Sequence, residues 1–274
     1  MLLHYRDGSG VQKQICKQFK IIMMSERFNQ QVAVISGGAD GLGKGIADRI
    51  ALEGGKVFLL DKNQALLEKT INEFKEKGFV AAGEPTDISN ENEVKKAFEN
   101  AVNVFGKVDI MINSAGIVGP TNTRITDYPV SEYDKIYEVN LRGAFLMTKY
   151  AVSLMEKKGY GRILLIASIA GKEGNPFMTG YSSMKAGVIG LVKGIGKEYA
   201  ENGITVNGLA PAVISTAMNE NTDPAQLAYM TAKIPMKRLG TVSEVAAISC
   251  WIVSPEASFT TGFIFDISGG RATY

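Results

Sequence analysis

Apolar positions along this chain fall into two rhythms. Short, nearly unbroken apolar runs recur at QVAVISG (31–37), KVFLLD (56–61), VDIMINSAG (108–116), RILLIAS (162–168), ITVNGLAP (204–211) and FIFDISGG (263–270), with a weaker run at FVAAGEPTD (79–87). Runs of this length without alternation are expected of strands covered by helices on both sheet faces. Between them lie longer amphipathic stretches at 43–53, 63–77, 90–105, 131–157, 182–201 and 243–253, which predict helices. Asn90, with Glu93 three residues on, resembles a capping box at the start of the third of these. Strand and helix alternating over the whole length predict an α/β fold. Its sheet is doubly wound and parallel, with about seven strands in a single domain over 29–274.

Two stretches depart from the alternation. Residues 1–28 are mixed in character, and the apolar IIMM within them is too short for a signal-peptide core. They are expected to be a flexible extension, with Met23 or Met24 an alternative start. Residues 212–240 are long and polar at first, and they carry Pro224 and Pro235. They follow a strand's carboxyl end, where open α/β sheets bind ligands, and so predict a substrate lid.

Composition narrows the chemistry. With a net charge of +2 and no apolar run near the roughly 20 residues of a membrane helix, nothing points to nucleic acid or a membrane as partner. The cysteines are Cys16 and Cys250, too few and too far apart for a metal site or disulfide framework, which fits a reducing, cytoplasmic setting. The single histidine, His4, lies near the start, so Ser-His-Asp and Cys-His schemes and histidine-based metal sites are excluded from the body of the chain. No metal site is expected.

The first strand runs into SGGADGLGKGIADRI, with glycines at 37, 41 and 43. Such a loop lets backbone approach a phosphate, and the helix that follows offers free N–H groups and the positive end of its dipole. GADGLGK, Gly38 to Lys44, also matches a P-loop up to its lysine, but Gly45 stands where an NTPase needs a Ser or Thr for Mg²⁺. The second strand ends at Asp61, 18 residues after Gly43. An acid there accepts the hydroxyls of an adenosine ribose and repels a 2′-phosphate, and Asp40 makes the loop acidic too. NAD is therefore expected rather than NADP, although Lys62 partly offsets the repulsion. Further along, YSSMK places Tyr181 and Lys185 on one helical face if the stretch is helical.

With these residues in hand, the chain resembles the short-chain dehydrogenase/reductase family over residues 30–270. The family's motifs occur in order: SGGADGLG; Asp61; Asp87-Ile88; NSAG at 113–116; Asn140 in EVNLRG; Ser168 in IASIAG; Tyr181-x-x-x-Lys185; and Pro211-x-x-Ile214-x-Thr216. Ser36, Ser114 and Ala212 depart from the family's usual Thr, Asn and Gly. The resemblance implies a Rossmann-type fold, a nicotinamide cofactor, and catalysis by Asn140, Ser168, Tyr181 and Lys185. Gly37, Asp40, Gly41, Leu42 and Gly43 would hold the cofactor's phosphates, with Asp61 at the ribose and Asp87 and Ile88 at the adenine end. It implies further that Asn113, Ala115 and Gly116 line the cleft, that Pro211, Ile214 and Thr216 secure the carboxamide, and that Tyr181 and Lys185 meet the nicotinamide ribose.

Alcohol oxidation requires a base for the hydroxyl proton as hydride leaves carbon. A free tyrosine, with a pKa near 10, is too weak an acid for that task at neutral pH. An ammonium about 4 Å away contributes roughly 4 kcal/mol at an effective dielectric of about 20, so Lys185 is expected to acidify Tyr181. Ser168 is expected at the substrate oxygen, and Asn140, by the resemblance, at a water linking Lys185 to solvent. Glu173, Asn175, Pro176, Phe177 and Met178 are candidate pocket residues, and Arg271 a candidate partner for a carboxylate in a neighbouring subunit's site. The small-molecule substrate expected is a sugar, a sugar acid or a related secondary alcohol. Two other readings stay open: a 3-oxoacyl-carrier-protein reductase, and a dinucleotide-binding sensor without catalysis. Apolar residues on several faces of 131–157 and 182–201, with the resemblance, point to a homotetramer.

Overall fold

The computed structural model describes residues 26–216, 224–272 and 274. Seven parallel strands form one sheet, and each forms where the sequence is apolar: β1 Val32–Ser36, β2 Lys56–Asp61, β3 Ala81–Pro85, β4 Ile110–Asn113, β5 Gly161–Ile166, β6 Ile204–Pro211 and β9 Ile264–Ile267. Their spatial order is β3-β2-β1-β4-β5-β6-β9. The chain thus winds outward from β1 in one direction and from β4 in the other, opening a crevice beyond the carboxyl ends of β1 and β4. A separate two-stranded pair, β7 Ile214–Ser215 and β8 Gly240–Thr241, closes the base of the segment expected to be a lid.

Helices cover both faces, which explains the unbroken apolar runs. On one face, Val34, Phe58, Met111, Leu165 and Val206 pack against α3 (Glu91–Phe105), α5 (Gly143–Met155) and α7 (Thr179–Glu198). On the other, Ile35, Leu59, Ile112, Leu164 and Leu209 pack against α1 (Gly41–Leu52), α2 (Gln64–Glu76) and α9 (Val242–Ile252). Neighbours such as Val34 and Ile35 serve opposite cores, as strand pleating requires.

Several expectations need correction. The helix expected over 131–157 is α4 (Val130–Ile136), a π-helical stretch Tyr137–Arg142, and then α5. The wider turn brings Asn140 inward, where its amide bonds both backbone groups of Ile117. The capping box at Asn90 is incomplete. Its side chain accepts from the N–H groups of Asn92 and Glu93, but Glu93 reaches past the cap to the Asp87 N–H. A complete box stands instead at Thr241 and Glu244, opening α9. The extension expected to end at 28 gives up its last residue to the domain: Phe28 is fully buried, and its N–H donates to the Glu53 carbonyl. Arg27 joins it by pairing with Glu53 (2.6 Å), while residues 1–25 lie outside the described residues, as do 217–223 of the segment expected to be a lid. The described part of the segment expected to be a lid contains α8 (Pro224–Ala232).

Candidate active site

The crevice is built from turns that leave the strands' carboxyl ends. Gly37 follows β1 with φ +63°, and a Cβ there would stand 2.9 Å from the Ala115 nitrogen. The two strand exits touch, and only glycine fits between them. Gly43 is equally confined, since a Cβ would lie 2.1 Å from the Gly37 carbonyl oxygen, so α1 starts directly against the loop. Gly41 also has positive φ, +55°, yet its Cβ position meets nothing within 4 Å. At the head of α1, then, the loop has open space, and Asp40 does not cap the helix with its side chain. Two bonds hold the loop from below. The Thr70 hydroxyl donates to the Ala39 carbonyl (2.9 Å), and the Ala39 N–H donates to Asp61 Oδ2 (3.3 Å).

Asp61 ends β2 at the crevice, its Oδ1 accepting from the Asn63 N–H (3.0 Å). Gly37, Asp61, Lys62, Asp87, Ile88, Ala115 and Gly116 share one cleft. Asp87 is held by the Ser89 N–H and hydroxyl at 2.9 and 2.7 Å. Asn113 ends β4, buried, and accepts from the Ser36 hydroxyl at 2.7 Å. The hydroxyl that Ser36 shares with the family's threonine therefore ties β1 to β4. Glycine turns that exclude side chains, an uncapped helix start and a carboxylate at the far end fit a nicotinamide dinucleotide. They do not fit the P-loop alternative. Lys44 is paired with Glu73 (2.6 Å), and a Cβ on Gly45 would meet Val242 Cγ1 at 2.1 Å, so the position of the NTPase hydroxyl is spent on packing α1 against α9.

The second group stands on α7 and the turn after β5. The helix begins at Thr179, earlier than the sequence suggests, so Tyr181 and Lys185 are both helical and share a face. Lys185 is 5 % exposed. Its ammonium donates to the Ile166 carbonyl (2.7 Å) and lies 5.7 Å from the centre of the Tyr181 ring. Ser168 caps the short helix α6 (Ile169–Glu173), accepting from the Ala170 N–H at 3.1 Å, and its side chain is also hydrogen-bonded to Tyr181. Gly171 allows this approach, since a Cβ there would lie 2.6 Å from the Lys185 carbonyl carbon. Asn140, the buried π-helical residue, completes the group. A Cβ on Gly116 would lie 3.2 Å from Asn140 Oδ1 and 3.6 Å from Lys185 Nζ, so that glycine keeps the space between them clear.

The electrostatics reverse one expectation. Burial pushes the Tyr181 phenol above its ordinary range, and the Ser168 bond offsets only part of that. Burial also brings the Lys185 amine down to about 8. Desolvation of phenolate and ammonium alike sets the direction of both shifts in the protein alone. The pair is thus held in place but not yet poised. The Asn140 side chain bonds the N–H and the carbonyl of Ile117, both at 2.8 Å. Arg271 turns into its own chain and binds Glu173 and Asn175, the two loop residues expected to meet substrate. Pro211 ends β6. Ile214 is buried in β7 beneath Gly240, and Thr216 follows that strand half-buried. The Ser182 hydroxyl was missed in the sequence: it accepts from the Asn175 N–H (3.0 Å) one residue from Tyr181, and no local pattern distinguishes it from its neighbour Ser183.

Comparison with known proteins agrees with this arrangement. A family model described as enoyl-(acyl carrier protein) reductase matches residues 37–272. The chain is 44 % identical over 248 residues to 2-dehydro-3-deoxy-L-rhamnonate dehydrogenase (NAD(+)) of Sphingomonas sp. (strain SKA58), covering 90 % of this chain and 98 % of that one. It is 35 % identical to a 3-oxoacyl-(acyl-carrier-protein) reductase of Buchnera aphidicola subsp. Baizongia pistaciae (strain Bp), covering 88 % and 97 %. Among solved structures, NAD⁺-bound xylitol dehydrogenase superposes with a TM-score of 0.85 at 30 % identity, over 89 % of this chain and all of that one. Motifs, strand order and relatives converge, and the chain belongs to the short-chain dehydrogenase/reductase family of oxidoreductases acting on CH–OH groups.

Proposed function

We propose that this protein oxidises a secondary alcohol of a sugar acid or similar polyhydroxylated substrate to the ketone, with NAD as hydride acceptor. One observation carries the reading: Tyr181, Ser168 and Lys185 are held together, Lys185 reaches the space beside Gly116, and Gly116 lines the same cleft as Asp61. Asp61 favours NAD over NADP, because a 2′-phosphate would meet a carboxylate already oriented by the Ala39 and Asn63 N–H groups. The Sphingomonas relative, named as a 2-dehydro-3-deoxy-L-rhamnonate dehydrogenase (NAD(+)), supports both the cofactor and the sugar-acid class.

Gly37, Asp40, Gly41, Leu42, Gly43, Asp61, Asp87, Ile88, Asn113, Ala115, Gly116, Pro211, Ile214 and Thr216 would hold the cofactor, together with Tyr181 and Lys185. When bound, the cofactor supplies the hydride acceptor and a positive charge that favours ionised Tyr181. Tyr181 accepts the alcohol proton, and Ser168, already bonded to its phenol, receives the substrate oxygen. With an amine pKa of about 8, Lys185 is mostly charged at neutral pH and draws the phenol towards ionisation. Asn140 clamps the π-helical stretch to Ile117, which keeps the space beside Gly116 open as a proton route from Lys185. The enzyme works as a homotetramer in the cytoplasm.

NADH formation measured over a panel of alcohols and sugar acids, with NAD and NADP in parallel, tests the reading. NAD-linked turnover of a sugar acid is expected. Faster NADPH-linked reduction of a 3-oxoacyl thioester would favour the second reading, to which the Buchnera relative lends support. NADH binding without turnover of any substrate would leave only the dinucleotide-binding sensor.

A further inference from the structure

The carboxyl-terminal segment leaves β9 and crosses to the loop that follows Ser168. Two glycines shape the crossing. Gly269 and Gly270 have φ +61° and +90°, and a Cβ on Gly269 would lie 2.7 Å from Ile234 Cγ2. The Gly269 carbonyl accepts from the Met236 N–H (3.1 Å), which ties the segment to the base of the lid. Beyond the turn it fastens to the other wall. Arg271 Nε and Nη2 both donate to Glu173 Oε2, at 3.0 and 2.8 Å, and Nη2 also donates to Asn175 Oδ1 at 3.0 Å. The Tyr274 hydroxyl donates to the Lys172 carbonyl (2.9 Å), and Lys172 is paired with Asp266 of β9 (3.2 Å).

The Arg271 side chain is only 8 % exposed, against 28 % for that of Glu173. A guanidinium that far from solvent is not a mobile surface charge. Its bonds also settle which way the partners face. Asn175 turns its oxygen to the arginine, so its Nδ2 remains a donor without a partner among the described residues. Glu173 gives Oε2 to the arginine, and Oε1 remains an acceptor, again without a partner among them. The same loop is joined to the catalytic helix, since the Asn175 N–H donates to the Ser182 hydroxyl, one residue from Tyr181.

We propose that Arg271 is a specificity-determining positioning residue, which fixes Glu173 Oε1 and Asn175 Nδ2 as an acceptor–donor pair for neighbouring hydroxyls of a polyhydroxylated substrate. The inference rests on the alcohol-oxidising reading above. An acceptor beside a donor matches a hydroxylated carbon chain, whose groups both give and take hydrogen bonds. An apolar secondary alcohol would gain nothing from the pair and leaves both groups unpaired on binding. Arg271 touches no reacting atom in this scheme; it acts through Glu173 and Asn175.

The test compares wild type, Arg271→Ala, Arg271→Lys and Glu173→Gln on the best sugar-acid substrate and on a simple apolar secondary alcohol, with NADH affinity measured by fluorescence. Arg271→Ala is expected to raise KM for the polar substrate at least tenfold, with kcat and NADH affinity within about threefold of wild type. The apolar alcohol should be turned over as before. Arg271→Lys, one donor group without the planar fork, should recover only part of the loss. Glu173→Gln, which weakens the clamp without removing volume, should shift KM in the same sense. Equal losses on both substrates, or no change on either, would overturn the inference while wild-type activity kept the underlying reading intact. A wild-type protein inactive on every alcohol would overturn both.

Discussion

Lys185 carries two opposed duties, and its titration exposes them. In the folded chain burial holds its pKa at about 8, below its ordinary value of 10.5. The unfolded chain therefore binds more protons across that interval, and stability rises with pH from about 8 upwards. At pH 7 the full cost of the buried charge is present, on the order of 3 kcal/mol. Lys185→Met should accordingly raise the melting temperature at pH 7 while abolishing turnover, and its advantage should shrink between pH 8 and pH 10. Above that, Tyr181 acts in the opposite sense, because burial keeps its phenol protonated in the fold after free tyrosines ionise. Paired melting curves of wild type and variant over that range check the sign. An advantage that grew with pH would contradict a charged, buried lysine. Tyr181→Phe makes the complementary case. It removes the hydroxyl bonded to Ser168 and should lower kcat by at least a thousandfold with NADH affinity retained, which a fluorescence titration would read directly.

At the scale of elements, the site depends on helices pressed against backbone. Gly171 puts α6 on α7 so closely that a methyl group would strike the Lys185 carbonyl carbon at 2.6 Å and its oxygen at 2.7 Å, neither of which can rotate away. Gly171→Ala should cost about 1–3 kcal/mol. It should also lower kcat, because the displaced helix carries the Ser168 cap away from Tyr181. Gly45→Ala, against the Val242 side chain, should cost a comparable amount yet leave the chemistry unchanged. Thermal unfolding with kcat separates the two. These contacts also mark how far the sequence could be read. The strands and most helices were legible because both faces of the sheet are buried and the apolar runs say so. Tyr181, Lys185 and Asp61 were legible because fixed spacing on regular elements carries them to the crevice. The π-helical turn at Asn140 was not, because it depends on two bonds to Ile117 in a distant loop, and spacing within 131–157 is silent about them. Nor was the direction of the Tyr181 shift. Two charges read at 4 Å predict attraction, whereas desolvation is decided by everything packed around them.

The surface of the whole molecule bears on assembly. Among the described residues, exposed apolar side chains gather on different sides of the sheet. Val130, Tyr137 and Phe145 lie on or beside α4 and α5, the latter on one face of the sheet; Phe145 is 47 % exposed. Phe259, Phe263 and Trp251 lie about the β9 edge and the end of α9, which covers the other face. Here the rings of Phe263 and Trp251 each meet Phe265 edge to face, at 4.9 and 5.6 Å, while Phe259 is wholly exposed. One such patch paired about a two-fold axis closes a dimer. Two independent patches, each paired with its own copy about mutually perpendicular two-fold axes, generate a tetramer of dihedral symmetry. Phe145→Glu should leave a dimer held through the β9 edge, Phe263→Glu should leave the other dimer, and the double variant should be monomeric, since a buried unpaired carboxylate on each two-fold opposes association. Light scattering distinguishes the species. A wild-type monomer, or a single variant that falls directly to monomer, would show that the two patches are not independent contacts.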